Sequence, residues 1–225
     1  MGKDAKKTAP ADVVEFFSDV AQRSDDWFEL RRGIPTASKF AIIMADGRDG
    51  NDSVTREKYM KLLAGEIVSG QVAETFKSEA MDRGTRMEPE ARDWYARTKF
   101  VDLTPIGFVR RTVRVPLGED FVIGCSPDSQ VDKRKGLEIK TMAPHLLGEI
   151  KERGAAGFPL GHRAQLHGTM LCCDWDEMDL LLYYTGWPKP PVFSVTRDDH
   201  FIAQLKEQIE DFDYKLKRLV ERWRR

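Results

Sequence analysis

The residues of this chain that could do chemistry together lie in one short stretch: Gly124-Cys125-Ser126-Pro127-Asp128 and, ten residues past the aspartate, Glu138-Ile139-Lys140. If Leu137 to Thr141 is a strand, Glu138 and Lys140 project from one face, while Ile139 points to the other, toward the core. The turn Asp132-Lys133-Arg134-Lys135-Gly136 would fold that strand back on Phe121 to Cys125 and bring Asp128 toward Glu138. Two converging carboxylates plus the Ile139 carbonyl are hard oxygen donors. They suit Mg²⁺, which keeps several waters and completes its octahedron with phosphate oxygens. One metal can acidify a water and a second can stabilise the leaving oxygen, with Lys140 placed to hold the attacking water or to neutralise charge growing on the phosphate. The chemistry implied is phosphodiester hydrolysis. The competing reading is a solvated hairpin with a Glu/Lys surface pair worth ~0 to 1 kcal/mol, because such spacings recur by chance in a chain that is 32% charged.

The elements that must position these groups follow from periodicity. Val13, Val14, Phe16, Phe17 and Val20 have a spacing that predicts a helix over Asp12 to Arg23; Ser24 or Asp25 then caps a second, short helix ending at Gly33. Thr36 caps a third, through Phe40, Ile42 and Ile43. After the turn-rich loop Asp46 to Asp52, Ser53 caps a helix carrying Tyr59, Leu62, Leu63 and Ile67. Ser78 to Arg97 is helical again, with interruptions predicted at Gly84 and Pro89. The N-terminal third thus reads as helical. Ile106 to Arg111, Val113 to Val115, Phe121 to Cys125 and Leu137 to Thr141 then read as consecutive antiparallel strands. Gly161 to Cys173 is a helix, Met178 to Thr185 and Val192 to Val195 are strands, and Phe201 to Trp223 is an amphipathic helix covering the sheet.

The Pro-Asp, spacer, Glu-x-Lys pattern resembles the signature of the PD-(D/E)xK nuclease superfamily. The run Asp26 to Ser38, the Gly84 to Glu88 segment, Ser126 to Asp128, Leu137 to Lys140 and Ala164-Gln165 resemble, in this order, the motifs of the phage lambda exonuclease (YqaJ-type viral recombinase) family. The resemblance spans roughly residues 24 to 185. It implies an α/β fold with a restriction-endonuclease-like core: a central mixed β-sheet flanked by helices, behind the helical N-terminal third. It further implies a Mg²⁺-dependent 5'-to-3' exonuclease that degrades one strand of linear double-stranded DNA to mononucleotides and leaves a 3' single strand. Two Mg²⁺ per site are expected, with Mn²⁺ as a substitute. A homotrimeric ring threaded by DNA and cooperation with a phage-type single-strand annealing protein in recombination are implied as well.

Carried over position by position, the resemblance makes Asp128, Glu138 and the Ile139 carbonyl the metal ligands and sets Lys140 beside the nucleophilic water. Glu88 and Gln165 complete the site, and Arg31, Ser38 and Ser126 form a pocket for a terminal 5'-phosphate. Ser38, in the first turn of the helix capped by Thr36, has independent support, since helix N-termini bind anions, and Arg31 adds a fork of donors matched to phosphate oxygens. Met81 stands where the family has an apolar wedge between the last base pairs, with a core methionine as the alternative. The family's arginine after the Glu-x-Lys motif is missing, which leaves His145 or Arg163 to contact DNA. A restriction- or repair-type endonuclease on the same core and a catalytically inactive DNA-binding member are the rival readings.

Composition bounds these expectations. With 36 Lys+Arg against 37 Asp+Glu in 225 residues, a protein that coats nucleic acid by bulk positive charge is excluded. The length suits one domain, at most two; residues 11–225 read as a single nuclease domain behind a disordered tail, 1–10, that lacks the apolar region of a secretory signal. No stretch approaches the roughly 18 apolar residues of a spanning helix, so no membrane partner is expected. Cys125, Cys172 and Cys173 have neither disulfide-framework nor zinc spacing and point to a reducing cytoplasm; the resemblance to the phage family implies that of a bacterial host carrying the phage or prophage. His162, His167 and His200 read as structural.

Overall fold

A computed structural model describes residues 11–45, 47, 51–73, 79–116 and 118–225. The tail 1–10, most of the loop 46–50 and the side chain of Met81 lie outside the described residues, and with Met81 the wedge reading.

The strands fall into two sheets rather than one. In the first, β1 (Val13–Phe17) pairs antiparallel with β2 (Phe108–Val113), and β2 with β3 (Phe121–Cys125). In the second, β4 (Ser129–Asp132), β5 (Lys135–Thr141), β6 (Glu177–Tyr183) and β7 (Val192–Thr196) lie side by side in that order. β5 and β6 are parallel, and the other pairs of this mixed sheet are antiparallel. Only Ser126-Pro127-Asp128 separates β3 from β4, so the segment with the first carboxylate is the link between the sheets.

Several expectations are corrected. The segment 12–23 is not a helix: Val13 to Phe17 forms β1, a run too short to separate a period of 3.6 from one of 2. Its β-branched and aromatic residues suit a strand, and Glu15 receives both arms of Arg110 on β2, at 2.9 and 3.0 Å. The hairpin partner of β5 is β4, not β3; Ser129 faces Leu137 across it, and Ser129 to Asp132 carries too little apolar signal to be read as a strand beforehand. Gly84 and Pro89 do not break their helix. α4 runs unbroken over Glu79–Lys99 because Ala91 and Tyr95 are buried against Leu137, Ile139, Leu181 and Tyr183, which outweighs the one backbone donor that proline lacks. Ile106 to Val115 also yields one strand, β2, where two were expected.

The remaining helices follow their caps. Ser24 accepts from the Trp27 N–H at the start of α1 (Asp25–Arg31), and Ser53 from the Arg56 N–H at the start of α3 (Val54–Ser69). Between them, a 3-10 turn over Ala37–Lys39 leads into the single turn α2 (Phe40–Ile43). α5 (Pro144–Arg153) and α6 (Arg163–Cys173) form the crossover from β5 to β6. α7 (Asp199–Arg224), capped by Asp198, buries Ile202, Leu205, Ile209, Phe212 and Leu216. It packs on α3, α2 and α6, so it backs the helical layer instead of lying on a sheet. The three cysteines are buried and free.

β5 is therefore covered on both sides. Leu137 and Ile139 face α4, whereas Glu138 and Lys140 share a face with Leu180 and Leu182 of β6, toward the main core. Gly124 shows how tightly the motif strand is seated: a Cβ there would lie 2.2 Å from the Phe108 ring, and Phe108 is fully buried. Gly124→Ala is accordingly expected to cost about 1–3 kcal/mol by overpacking. Urea unfolding checks this as a lowered midpoint at unchanged slope; an unchanged midpoint would contradict the packing described.

Candidate active site

β4 ends opposite Leu137 while β5 continues to Thr141, so beyond Leu137 one edge of β5 has no strand beside it. Asp128 fills that gap: its Oδ2 accepts from the Ile139 N–H at 2.6 Å. In a strand the N–H and C=O of one residue point to the same side, which directs the Ile139 carbonyl to the Asp128 edge as well. Around it, Glu138 rises from one face of β5 and is almost fully buried. Its Oε1 accepts from Gln165 Nε2 of α6 at 2.5 Å and meets Lys140 Nζ at 2.7 Å.

Glu88 arrives from α4, on the opposite face of the sheet. Gly84, one turn earlier, lets the helix come close: a Cβ there would sit 3.3 Å from the Thr141 hydroxyl. Glu88 is held between two arginines, Arg23 at 2.9 Å and Arg92 in a short ion pair. Arg92 also donates from Nε to the Asp128 carbonyl at 3.1 Å, and Gln22 donates to the Pro127 carbonyl at 3.0 Å. Arg23 takes the left-handed backbone, φ +72°, at a cost of about 1 kcal/mol. Gln22, Arg23 and Arg92 carry no motif, so the sequence reading passed over them; only the fold brings them to Asp128.

Charge crowding sets the protonation states. Burial first, then Glu138 and Glu88, push the Asp128 carboxyl well above its ordinary range, although Lys140 and the Ile139 N–H oppose this. Burial pulls Lys140 down, but Glu138, Asp128 and Glu88 together hold it above its usual value, so it stays an ammonium. It can donate or neutralise, and it cannot serve as a base. Burial and Lys140 both lower His162, which puts that ring in the field of the site although it was read as structural.

Asp128, Glu138 and the Ile139 carbonyl therefore form a set of hard oxygens on one edge, and the donor chemistry fits Mg²⁺. Among the described residues no three His, Cys, Asp or Glu side chains form a metal cage by themselves.

A second cluster adjoins the first. Trp27 and Arg31 are one turn apart on α1, and the guanidinium lies 4.1 Å over the indole ring. The Ser126 hydroxyl accepts from Trp27 Nε1 at 2.9 Å and from Arg31 at 3.1 Å, which leaves its own O–H to donate. Arg31 also reaches Thr36 Oγ1 at 3.5 Å, and that oxygen lies 3.4 Å from the exposed Ser38 hydroxyl. Burial lowers the affinity of Arg31 for its proton, and among the described residues no carboxylate pairs with it. Arg31 is thus a half-buried cation ringed by hydroxyls, and Glu66, whose charge acts on it, makes no ion pair with it among the described residues. The helix-terminus argument for Ser38 does not survive, because Thr36 makes no side-chain cap and the helix there is a 3-10 turn and one α-turn.

The other expected DNA contacts are not brought together with these groups. Arg163 points off α6 away from Gln165, pairs with Asp198 at 2.8 Å and lies 4.3 Å over the Phe201 ring. His145 is exposed in the first turn of α5. Arg134 and Lys135, at the hairpin end of β5, are paired with Asp174, Asp176, Glu177 and Asp179.

The raised pKa of Asp128 makes a stability prediction. The folded state holds this proton above pH ~4, where the unfolded chain has lost it, so ionising Asp128 weakens the fold as pH rises through the folded pKa. With chelator present, Asp128→Asn should raise Tm by about 2–4 °C at pH 8, the scale of ~1 kcal/mol in a domain of this size, and leave it unchanged at pH 4. Calorimetry at the two pH values reads this, and an equal shift at both would rule out the charge as its cause.

Comparison with known proteins agrees with this architecture. No curated protein matches the chain. An alkaline exonuclease from Laribacter hongkongensis, solved also in complex with dAMP, is similar in structure, with a TM-score of 0.73 and 25% identity over 89% of this chain and 96% of that one. A phage-related exonuclease from Haemophilus somnus shares the fold, with a TM-score of 0.61 and 16% identity over 87% and 99%. The core is of the PD-(D/E)xK type expected from the motif. Residues 26–176, well over half of the chain, match the YqaJ-like viral recombinase domain, and the chain belongs to that family.

Proposed function

We propose that this chain is a Mg²⁺-dependent 5'-to-3' exonuclease acting on the ends of double-stranded DNA. One observation carries the reading: the Arg31 guanidinium, which has no ion pair among the described residues, is held through Ser126 beside the carboxylates that begin at Asp128. Ser126 and Asp128 are two residues apart, so their Cα atoms are at most about 7 Å from each other. That separation suits a terminal 5'-phosphate at Arg31 and Ser126 and the next phosphodiester over the carboxylates, which would make mononucleotides the product. An alkaline exonuclease of similar structure has been solved with dAMP, a mononucleotide.

In this reading Arg31, Ser126 and Ser38 bind the terminal phosphate and set the register. Asp128, Glu138 and the Ile139 carbonyl hold Mg²⁺, two ions in the full site, with Mn²⁺ as a substitute. A cation held there would supply polarisation of the scissile phosphate and a lowered pKa for the attacking water. Lys140, kept protonated, orients that water and offsets charge on the phosphate. Gln165 fixes Glu138, while Arg23 and Arg92 fix Glu88. A homotrimeric ring around DNA, a phage-type annealing protein that takes the 3' strand, and a bacterial host cytoplasm complete the proposal. Among the described residues no helix is long and apolar enough to cross a membrane.

End-labelled linear DNA with Mg²⁺, Ca²⁺ or chelator tests class, polarity and metal together. Mg²⁺-dependent release of 5'-mononucleotides is expected, and efficient cutting of supercoiled circles would overturn the exonuclease reading. Asp128→Ala and Lys140→Ala should each lower kcat by about 10²-fold or more. Arg31→Ala should slow digestion of 5'-phosphorylated ends selectively, and equal slowing on 5'-hydroxyl ends would remove its assigned role. Because a raised Asp128 pKa makes protons compete with the cation, the Mg²⁺ concentration for half-maximal rate should fall as pH rises from 6 to 9. Sedimentation should give three times 25.8 kDa; a monomer at micromolar concentration would exclude the ring.

A further inference from the structure

We propose that the outer edge of β7 docks an acidic, extended peptide segment of a partner protein, taken up as an added strand. The inference does not depend on the nuclease reading. β7 is the end strand of its sheet. The Leu182 N–H donates to the Pro191 carbonyl at 3.0 Å, and the Arg197 N–H to the Asp176 carbonyl at 2.7 Å. Bonded pairs alternate along an antiparallel ladder. With these two anchors, Phe193 and Val195 turn their backbone groups inward to β6, and Val192, Ser194 and Thr196 turn theirs outward. Among the described residues those outward groups have no partner.

A groove of about 820 Å³ runs beside this edge, on the other side of α6 from the carboxylates, and every residue from Pro191 to Thr196 lines it. Side chains alternate across a strand, so an unbroken run of lining residues means that the groove follows the edge and not one face. The opposite wall is apolar, with Ile150, Phe158 and Leu160, the last 74% exposed. Pro190 and Pro191 close the edge at one end, which leaves room for a strand of four or five residues, about 13–17 Å. An open ladder supplies affinity for any extended backbone, and the wall accepts alternate apolar side chains.

Charge selects the class of segment. No acidic residue lines the groove, and Lys151 and Lys189 at its rim have no ion-pair partner among the described residues, whereas Arg163 is neutralised by Asp198. Two free cations over apolar walls match a short peptide that alternates acidic and apolar residues. They match duplex DNA poorly, since it presents one charge per ~1.7 Å and needs a row of cations.

Fluorescence anisotropy on the full chain tests this with a labelled seven-residue peptide alternating Glu with Val. The expected Kd is about 10–100 µM, the range of short strand-adding segments. Replacing Glu by Lys in the peptide, or N-methylating alternate backbone nitrogens, should weaken binding at least tenfold. The double variant Lys151→Gln, Lys189→Gln should weaken it at least fivefold, with nuclease activity on linear DNA unchanged. Absence of binding, equal binding of the N-methylated peptide, or indifference to the double variant each defeats the proposal. Competition by a short DNA duplex, together with weaker DNA binding by the variant, would make the groove a DNA path. A change in the variant's sedimented mass would make it a contact between copies of the chain. Either result also overturns the proposal.

Discussion

The hydrogen bond from the Ile139 N–H to Asp128 Oδ2, 2.6 Å long, is the contact on which the rest of the site depends. β4 stops two residues short of this point, and the carboxylate takes the place of the missing strand. It satisfies a backbone donor at a sheet edge that would otherwise be open. By the same strand geometry the Ile139 carbonyl points to the Asp128 side, while Glu138, on the adjoining face of β5, is held by Gln165 and Lys140. A longer β4 would have paired that edge and left no room for chemistry.

The surrounding charges follow from this arrangement. Gathering Asp128, Glu138 and Glu88 at one place is unfavourable, and the fold offsets it with cations of fixed address: Lys140 for Glu138, and Arg23 and Arg92 for Glu88. Arg92 has a second task, since its Nε holds the Asp128 carbonyl and so ties α4 to the link between the sheets. Arg31 is the exception, a half-buried cation with hydroxyls and an indole ring for company and no ion pair among the described residues. Near balance in net charge thus holds locally as well: three cations stand among the three carboxylates at the sheet edge, and Arg31 lies beside them with no ion pair among the described residues.

Legibility in the sequence tracked how far each signal reaches along the chain. The caps at Ser24 and Ser53 act within one turn, and both are used. The face shared by Glu138 and Lys140 follows from strand geometry alone, as does the amphipathic stripe of α7. The strand at Val13 to Phe17 was hidden because five apolar-rich residues fit either period, and its partner lies some ninety residues away in β2. The unbroken course of α4 through Gly84 and Pro89 was hidden for a related reason: local propensity argues for a break, and burial of Ala91 and Tyr95 against β5 and β6 overrides it. Arg23 and Arg92 could not be read at all, since nothing local distinguishes them from the other arginines.

By itself, the sequence determined which groups are available: the two carboxylates, the lysine beside the second, Arg31 and the serines Ser38 and Ser126, and the residue types that make a strand out of 137–141. Those are properties of short segments, and short-range geometry is enough to express them. The tertiary structure decided how the groups meet. It chose β4 over β3 as the neighbour of β5, ended β4 before Ile139, brought Glu88 around the sheet on α4 and Gln165 across it on α6, and set Arg31 against Trp27 and Ser126. Each of these depends on which surfaces are buried against one another over long separations in the chain, and no local pattern encodes that.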